Sequence, residues 1–317
     1  MFAPRLTHHP DGITAVDAEY LRPGLDAVHI IRHEDRAAFV DTGTTRSVPY
    51  LLAALESLGI ARQSVDYVFL THVHLDHAGG AGALVSALPN ALAVLHPRGA
   101  PHMIDPARLI AGSKAVYGED AYTKLYGDIV AIPPERVITV TDGERVNLAG
   151  RELELLHTPG HALHHYVIHD RAHASMFTGD TFGLSYRELD TKRGAFIVPT
   201  TTPTQFDPEQ LIASIERMVA LAPRAMYLTH YSRVTDVPRL AESLKFQIRE
   251  FVRIALSHAH DSQRHAAIAH DMRQLWLRLL REHECTLPDS QIDELMAIDL
   301  DLNAQGLVAW LDRRRKD

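Results

Sequence analysis

A single cysteine, Cys285, among 317 residues leaves no internal disulfide and no cysteine-rich zinc cage. It lies in the polar stretch REHECTLPDS, away from every ligand candidate below, and reads as a bystander. Also missing is any apolar run of membrane-span length, and the opening segment MFAPRLTHHPDGI holds no stretch of signal-peptide length. No membrane partner is therefore expected, and a cytoplasmic protein fits. Positive charge is not in excess either. The net charge of -8 argues against a nucleic-acid partner, which calls for a basic surface. What remains is 46% hydrophobic and 23% charged, ordinary globular values that set disorder aside. The length suits one large domain or two modest ones.

Histidine is the abundant residue: 21 of them, roughly three times average usage. No single site can use them all, so the question is which ones the fold gathers. Ala27–Arg32 and Arg36–Asp41 read as a hairpin about the turn 33–35. Ser47–Leu58 has helical spacing and stops at Gly59. The apolar run Val65–Leu70 is of buried-strand type, followed by a helix at Gly80–Leu88 and a strand at Ala91–His96. Residues 98–133 break this rhythm and suggest a helical insertion. Short strands follow at Arg136–Val140, Arg145–Leu148, Glu152–His157, Tyr166–His169 and Ala174–Phe177. The threonine- and proline-rich stretch Val198–Pro208 leads into a helix at Pro208–Leu221, and Ala225–Leu228 is the last strand. From about Pro238 four helices are expected, at 239–257, 264–283, 289–299 and 303–315. The division is a domain over 1–237, with its insertion at about 98–133, and an α-helical subdomain over 238–317 packed on it.

The chemistry gathers after Val65–Leu70, in T-H-V-H-L-D-H. Extended backbone puts residues two apart on one side, so His72 and His74 can converge on one metal. The chain must then turn, and Asp76 and His77 can face a second position. The Ala-Gly-Gly-Ala-Gly run behind them allows tight backbone packing. Four ligand-type residues within six positions point to a metal site rather than a polar loop.

This segment resembles the H-x-H-x-D-H signature of the metallo-β-lactamase superfamily. The resemblance implies an α/β fold, an αββα sandwich, here with an α-helical C-terminal extension. It also implies three more ligands at strand ends, matched by His161 in H-T-P-G-H, Asp180 in F-T-G-D and His230 in Y-L-T-H. The match covers roughly residues 25–235. Carried over, His72, His74 and His161 hold one metal, Asp76, His77 and His230 hold the other, and Asp180 bridges them. Imidazoles and carboxylates favour zinc and also accept iron or manganese. Two such ions can lower the pKa of a shared water and polarise the bond under attack. A bridging aspartate is typical of the thioesterase, lactonase and phosphodiesterase branches, and the antibiotic-hydrolysing members generally lack it. The implied function is a dinuclear hydrolase of a small ester, thioester or lactone using a metal-bridging hydroxide. Asp76 would orient the nucleophile and pass a proton to the leaving group. The chain is similar in this to hydroxyacylglutathione hydrolases and acyl-homoserine lactonases. The alternative is a di-iron oxygen-binding or redox protein, with a phosphodiesterase behind it. His74 stands against the redox reading, because the oxygen-reducing members usually carry glutamate there.

Three further residues are candidate substrate contacts. Tyr231 could donate to a developing oxyanion. His164 and His165 are expected to begin a strand and alternate across it, so that at most one faces the site, and His164 could contact the substrate. Arg187 could grip an anionic substrate, or belong to a solvated loop. Asp41 and Gly43 in V-D-T-G look structural. His157, His169 and His173 read as surface positions, as do His258, His260, His265 and His270 on the terminal helices. The expected partner is a small-molecule substrate, and the helical extension offers a surface for a homodimer.

Overall fold

The computed structural model describes residues 3–201 and 204–315. Thr202 and Pro203, inside the predicted stretch Val198–Pro208, lie outside the described residues. Two compact units make up the chain. The first runs to His157 and takes in His164–Gly179 and Ala225–Arg233. The second comprises Thr158–Leu163, Asp180–Arg224 and everything from Val234 onwards.

The first unit is a two-sheet sandwich. One sheet holds seven strands in chain order: β1 Leu6–His8, β2 Ile13–Asp17, β3 Ala27–His33, β4 Arg36–Val40, β5 Val65–Phe69, β6 Leu92–Leu95 and β7 Val137–Thr139. Pairing is antiparallel as far as β4 and parallel from β4 to β7. The parallel strands are joined by α1 Val48–Ser57, by α2 Leu75–Ala78 and α3 Ala81–Ala87, and by the predicted insertion. That insertion is helical, with α4 Ala100–Ile104, α5 Ala107–Tyr117 and α6 Glu119–Tyr126. The other sheet has β8 Glu144–Leu148, β9 Arg151–His157, β10 Tyr166–Asp170, β11 Ser175–Gly179, β12 Ala225–Leu228 and β13 Ser232–Val234 side by side in chain order. Ile31, Val40, Phe69 and Val94 of the first sheet share one buried cluster with Leu153, Leu155, Ile168 and Phe177 of the second. The opposite face of the first sheet packs Val28, Phe39 and Val68 against Leu51 and Leu55 of α1 and Leu84 of α3. Strands buried on both faces read as continuous apolar runs, which is why β4 to β6 were legible without alternation.

The second unit carries α7 Pro208–Ala220, α8 Val237–Ser257, α9 Arg264–Glu282 and α10 Asp289–Arg314. The buried positions of α8, Val237, Leu240, Ala241, Leu244, Ile248 and Phe251, keep the three- and four-residue spacing of a one-faced helix. The last two predicted helices are a single one, α10. Its apolar spacing lapses around residues 299–303 because the buried side there is polar. Asp299 accepts the Tyr186 hydroxyl at 3.1 Å, and Asn303, 1% exposed, receives Thr201. No glycine or proline interrupts this stretch, so the helix continues. Two strands without a sequence expectation, β1 and β2, edge the first sheet, and Cys285 is buried within its polar stretch.

His29, on β3, is wholly buried between the edges of the Phe177 and Tyr227 rings, with Nε2 3.3 Å from Ser232 Oγ. Burial, with His9 adding to it, lowers its pKa from 6.5 to about 3. The fold therefore refuses a proton that the unfolded chain accepts. Its contribution to stability is complete above pH 6.5 and is lost as pH falls from there toward 3. Urea unfolding at pH 7 and pH 4.5 checks this. His29→Gln is expected to lose about 2–3 kcal/mol less than the wild type over that interval, and equal losses would remove His29 as the cause.

Candidate metal centre

Beyond β5 the chain bends at Thr71 and reaches His74, whose backbone is extended and which is the N-cap residue of α2. This stretch alternates: Val73 is buried at 3% exposure in the apolar core, while His72 and His74 turn the other way. His72 Nε2 and His74 Nδ1 come within 2.9 Å of each other. The turn expected after His74 is the first turn of α2, and it presents Asp76 and His77. Leu75, between His74 and Asp76, is buried with Tyr122 and Tyr126 of α6, which anchors the insertion beside the ligand loop. Gly80 lies so close to the segment after β4 that a Cβ there would meet Thr44 O at 2.7 Å and Thr42 O at 3.0 Å. That contact explains the glycine run behind the motif.

His230 follows β12, and with Asp76 and His77 it brings one ligand atom each into a group within 4.8 Å. Nε2 of His77 lies 3.8 Å, and Nε2 of His230 3.7 Å, from the same oxygen, Asp76 Oδ2. Ligand atoms around one tetrahedral zinc ion stand about 3.3 Å apart, given bonds of about 2.0–2.1 Å. The spacing therefore suits a common ion.

The rear of each ring supports the same fit. His77 Nδ1 is 2.8 Å from Asp41 Oδ2, and His230 Nδ1 is 2.6 Å from Asp26 Oδ1. Both carboxylates are 0% exposed. A carboxylate that accepts a hydrogen bond from Nδ1 leaves the Nε2 lone pair facing forward, the tautomer a metal needs, and makes the ring a stronger donor; His230 Nδ1 also lies 3.3 Å from the Leu25 carbonyl oxygen. Burial pushes the Asp26 carboxyl up to about 6, and the charge and hydrogen bond of His230 pull the other way. Asp41 also accepts from Thr71 N at 2.9 Å, Thr71 Oγ1 at 2.9 Å and Thr229 Oγ1 at 2.9 Å.

His161 and Asp180 belong to the second unit. His161 Nε2 is 3.4 Å from Asp180 Oδ2, and both residues are buried. Asp180 directly follows Gly179, whose φ of +46° and whose missing Cβ let it approach His165 Nε2 and Thr71 Oγ1, each 2.6 Å from where that atom would stand.

The three candidate substrate contacts fare differently. His164 is buried at 9% exposure, its ring 6.3 Å from those of His72 and His74. It and His165 precede β10 rather than lying on it. Tyr231 is half-buried beside His230. Arg187 is tied into its own loop by Ser185 and by Asp190 Oδ2 at 3.2 Å. His169, expected on the surface, is buried, with Nδ1 3.2 Å from Glu154 Oε2. The sequence reading passed over Asp26, and it took Asp41 for a turn residue only. The available signal was an aspartate at each end of the hairpin pair, one before β3 and one after β4, where a charge enters the core.

Similarity to known proteins agrees with this geometry. A family model described as Metallo-beta-lactamase superfamily matches residues 22–230. The metallo-beta-lactamase fold-containing protein ST1585 of Sulfurisphaera tokodaii is 26% identical over 225 residues, 69% of this chain and 77% of that protein. A hydroxyacylglutathione hydrolase of Aeromonas hydrophila is 28% identical over 195 residues, 61% of this chain. The chain spans 56% of that hydrolase's length. Among solved structures, a metallo-beta-lactamase family protein of Thermus thermophilus shares the fold, with a TM-score of 0.64 at 19% identity over 98% of this chain and 92% of that one.

Asp26→Asn keeps the shape of the side chain and removes its charge behind His230. Metal affinity is expected to fall 10- to 100-fold, read by competition with a chromophoric chelator. Unchanged affinity would show that the carboxylate does not tune the ring.

Proposed function

The chain belongs to the metallo-beta-lactamase superfamily, and from that premise we propose that it is a metal-dependent hydrolase that opens a small ester, thioester or lactone at a dinuclear metal centre. The observation that carries this reading is the group Asp76, His77 and His230, with both imidazoles backed by buried carboxylates. In this reading His72, His74 and His161 would hold one ion and Asp76, His77 and His230 the other, with Asp180 as the shared ligand. Zinc is the metal this donor set favours, with iron or manganese compatible.

When bound, such a metal pair supplies a hydroxide at neutral pH and polarises the carbonyl under attack. The chain's own residues do the rest. Asp76, part-exposed, orients the attacking oxygen and hands a proton to the leaving group. Asp41 behind His77 and Asp26 behind His230 orient the two rings. Tyr231 and His164 are substrate contacts in this scheme. Arg187, held by its own loop, would contribute only after a rearrangement of that loop. The reading takes a small molecule as the partner, the cytoplasm as the location and a homodimer as the assembly. No described helix is long and apolar enough to cross a membrane.

His74→Ala and Asp180→Ala are each expected to abolish turnover in a thioester, lactone and phosphodiester panel while circular dichroism stays that of the wild type. Full activity in either variant would sink the mechanism. Elemental analysis of protein purified without chelator or added metal is expected to give about two ions per chain. Two iron ions with an oxygen-sensitive absorption band would move the reading to redox chemistry.

A further inference from the structure

Asn303 sits in the middle of α10, far along the chain from every ligand, yet it is 1% exposed. A buried asparagine has to place its donors and acceptors. Its Oδ1 accepts Thr201 N at 2.5 Å and the Thr201 hydroxyl at 2.7 Å, and its Nδ2 donates to Asp299 O at 2.8 Å. Helix α10 thereby grips the backbone at Thr201. The preceding residue is Thr200, whose Oγ1 stands 3.0 Å from Asp180 O and 3.0 Å from His161 Nδ1.

A hydroxyl carries one hydrogen. The Asp180 carbonyl can only accept, so the Thr200 hydrogen goes there. The Thr200 oxygen must then accept from His161 Nδ1–H. That assignment, made from the network rather than from observed hydrogens, leaves the neutral ring with its lone pair on Nε2, the atom 3.4 Å from Asp180 Oδ2. Displacement of Thr200 would undo it, and the Asn303 bonds to Thr201 hold the backbone from which Thr200 projects.

We propose that Asn303 is a positioning residue for His161: through Thr201 and Thr200 it sets the tautomer and orientation that let His161 take a metal. The C-terminal helices thus reach the chemistry through the backbone of residues 200–201. This rests on the reading above, in which His161 and Asp180 are metal ligands.

The test is calorimetric titration of zinc into the metal-free full-length chain. Asn303→Ala and Thr200→Val are each expected to weaken one of the two zinc equivalents 10- to 100-fold, with the double variant losing little more than either alone. Thr200→Ser, which restores the hydroxyl, is expected to bind as the wild type does, and it carries the test alongside Thr200→Val should Asn303→Ala fail to fold. Leu307→Ala opens a cavity in the same helix at a residue 0% exposed. It is expected to lower Tm while retaining both zinc affinities. An Asn303→Ala protein that is less stable but keeps both affinities overturns the assignment, as does Leu307→Ala losing zinc in the same way. A wild type that binds fewer than two zinc ions overturns instead the dinuclear reading beneath it.

Discussion

Burying a carboxylate costs several kcal/mol unless donors surround it, and Asp41 is 0% exposed. Its donors come from three separate places: Thr71 beyond β5, Thr229 at the end of β12, and His77 on α2. The charge is tolerated only when all three have arrived. Both sheets of the sandwich contribute, so the condition is met only in the assembled first unit. The same arrangement that makes Asp41 acceptable in the core fixes the orientation of the His77 ring. Folding of the unit and preparation of the ligand are one event. Asp26 repeats the relation behind His230 with a single ring.

This accounts for which parts of the molecule were legible beforehand. Strands β4 to β6 and the motif after β5 show in the sequence because burial on both faces demands unbroken apolar runs and because ligands cluster within a few positions. The hairpin of β3 and β4 shows because a polar turn separates two apolar runs. Helix α10 was read as two helices, since sequence periodicity treats Asp299 and Asn303 as solvent-facing, whereas both spend their polarity on partners inside the second unit. His169 was assigned to the surface for the same reason: a histidine satisfied by Glu154 in the core has no mark that separates it from one in water.

The supporting residues were harder still. Asp26, Thr200 and Asn303 act by what lies behind or beside a ligand, and sequence distance hides that. Asn303 and Thr201 are separated by 102 positions but share a hydrogen bond of 2.5 Å. Periodicity and local motif reading work over a turn or a strand, so contacts of this range fall outside what they can express. Asp41 was the exception in part: its place after a buried strand drew notice, and only the identity of its donors was missing.

The two carboxylates behind His77 and His230 stand at strand ends, rooted in the sandwich, whereas the insertion over residues 98–133 is a set of short helices, and among the described side chains of α5 none is fully buried. Sequence drift therefore meets very different resistance in the two places. A change at Asp26 or Asp41 disturbs core and ligand together. A change along α5 costs little and leaves the donor atoms as they were. The support behind the two ligand rings and the exposed helix α5 are thus mechanically separate, so a substitution on the outer side of α5 leaves the donor atoms where they are.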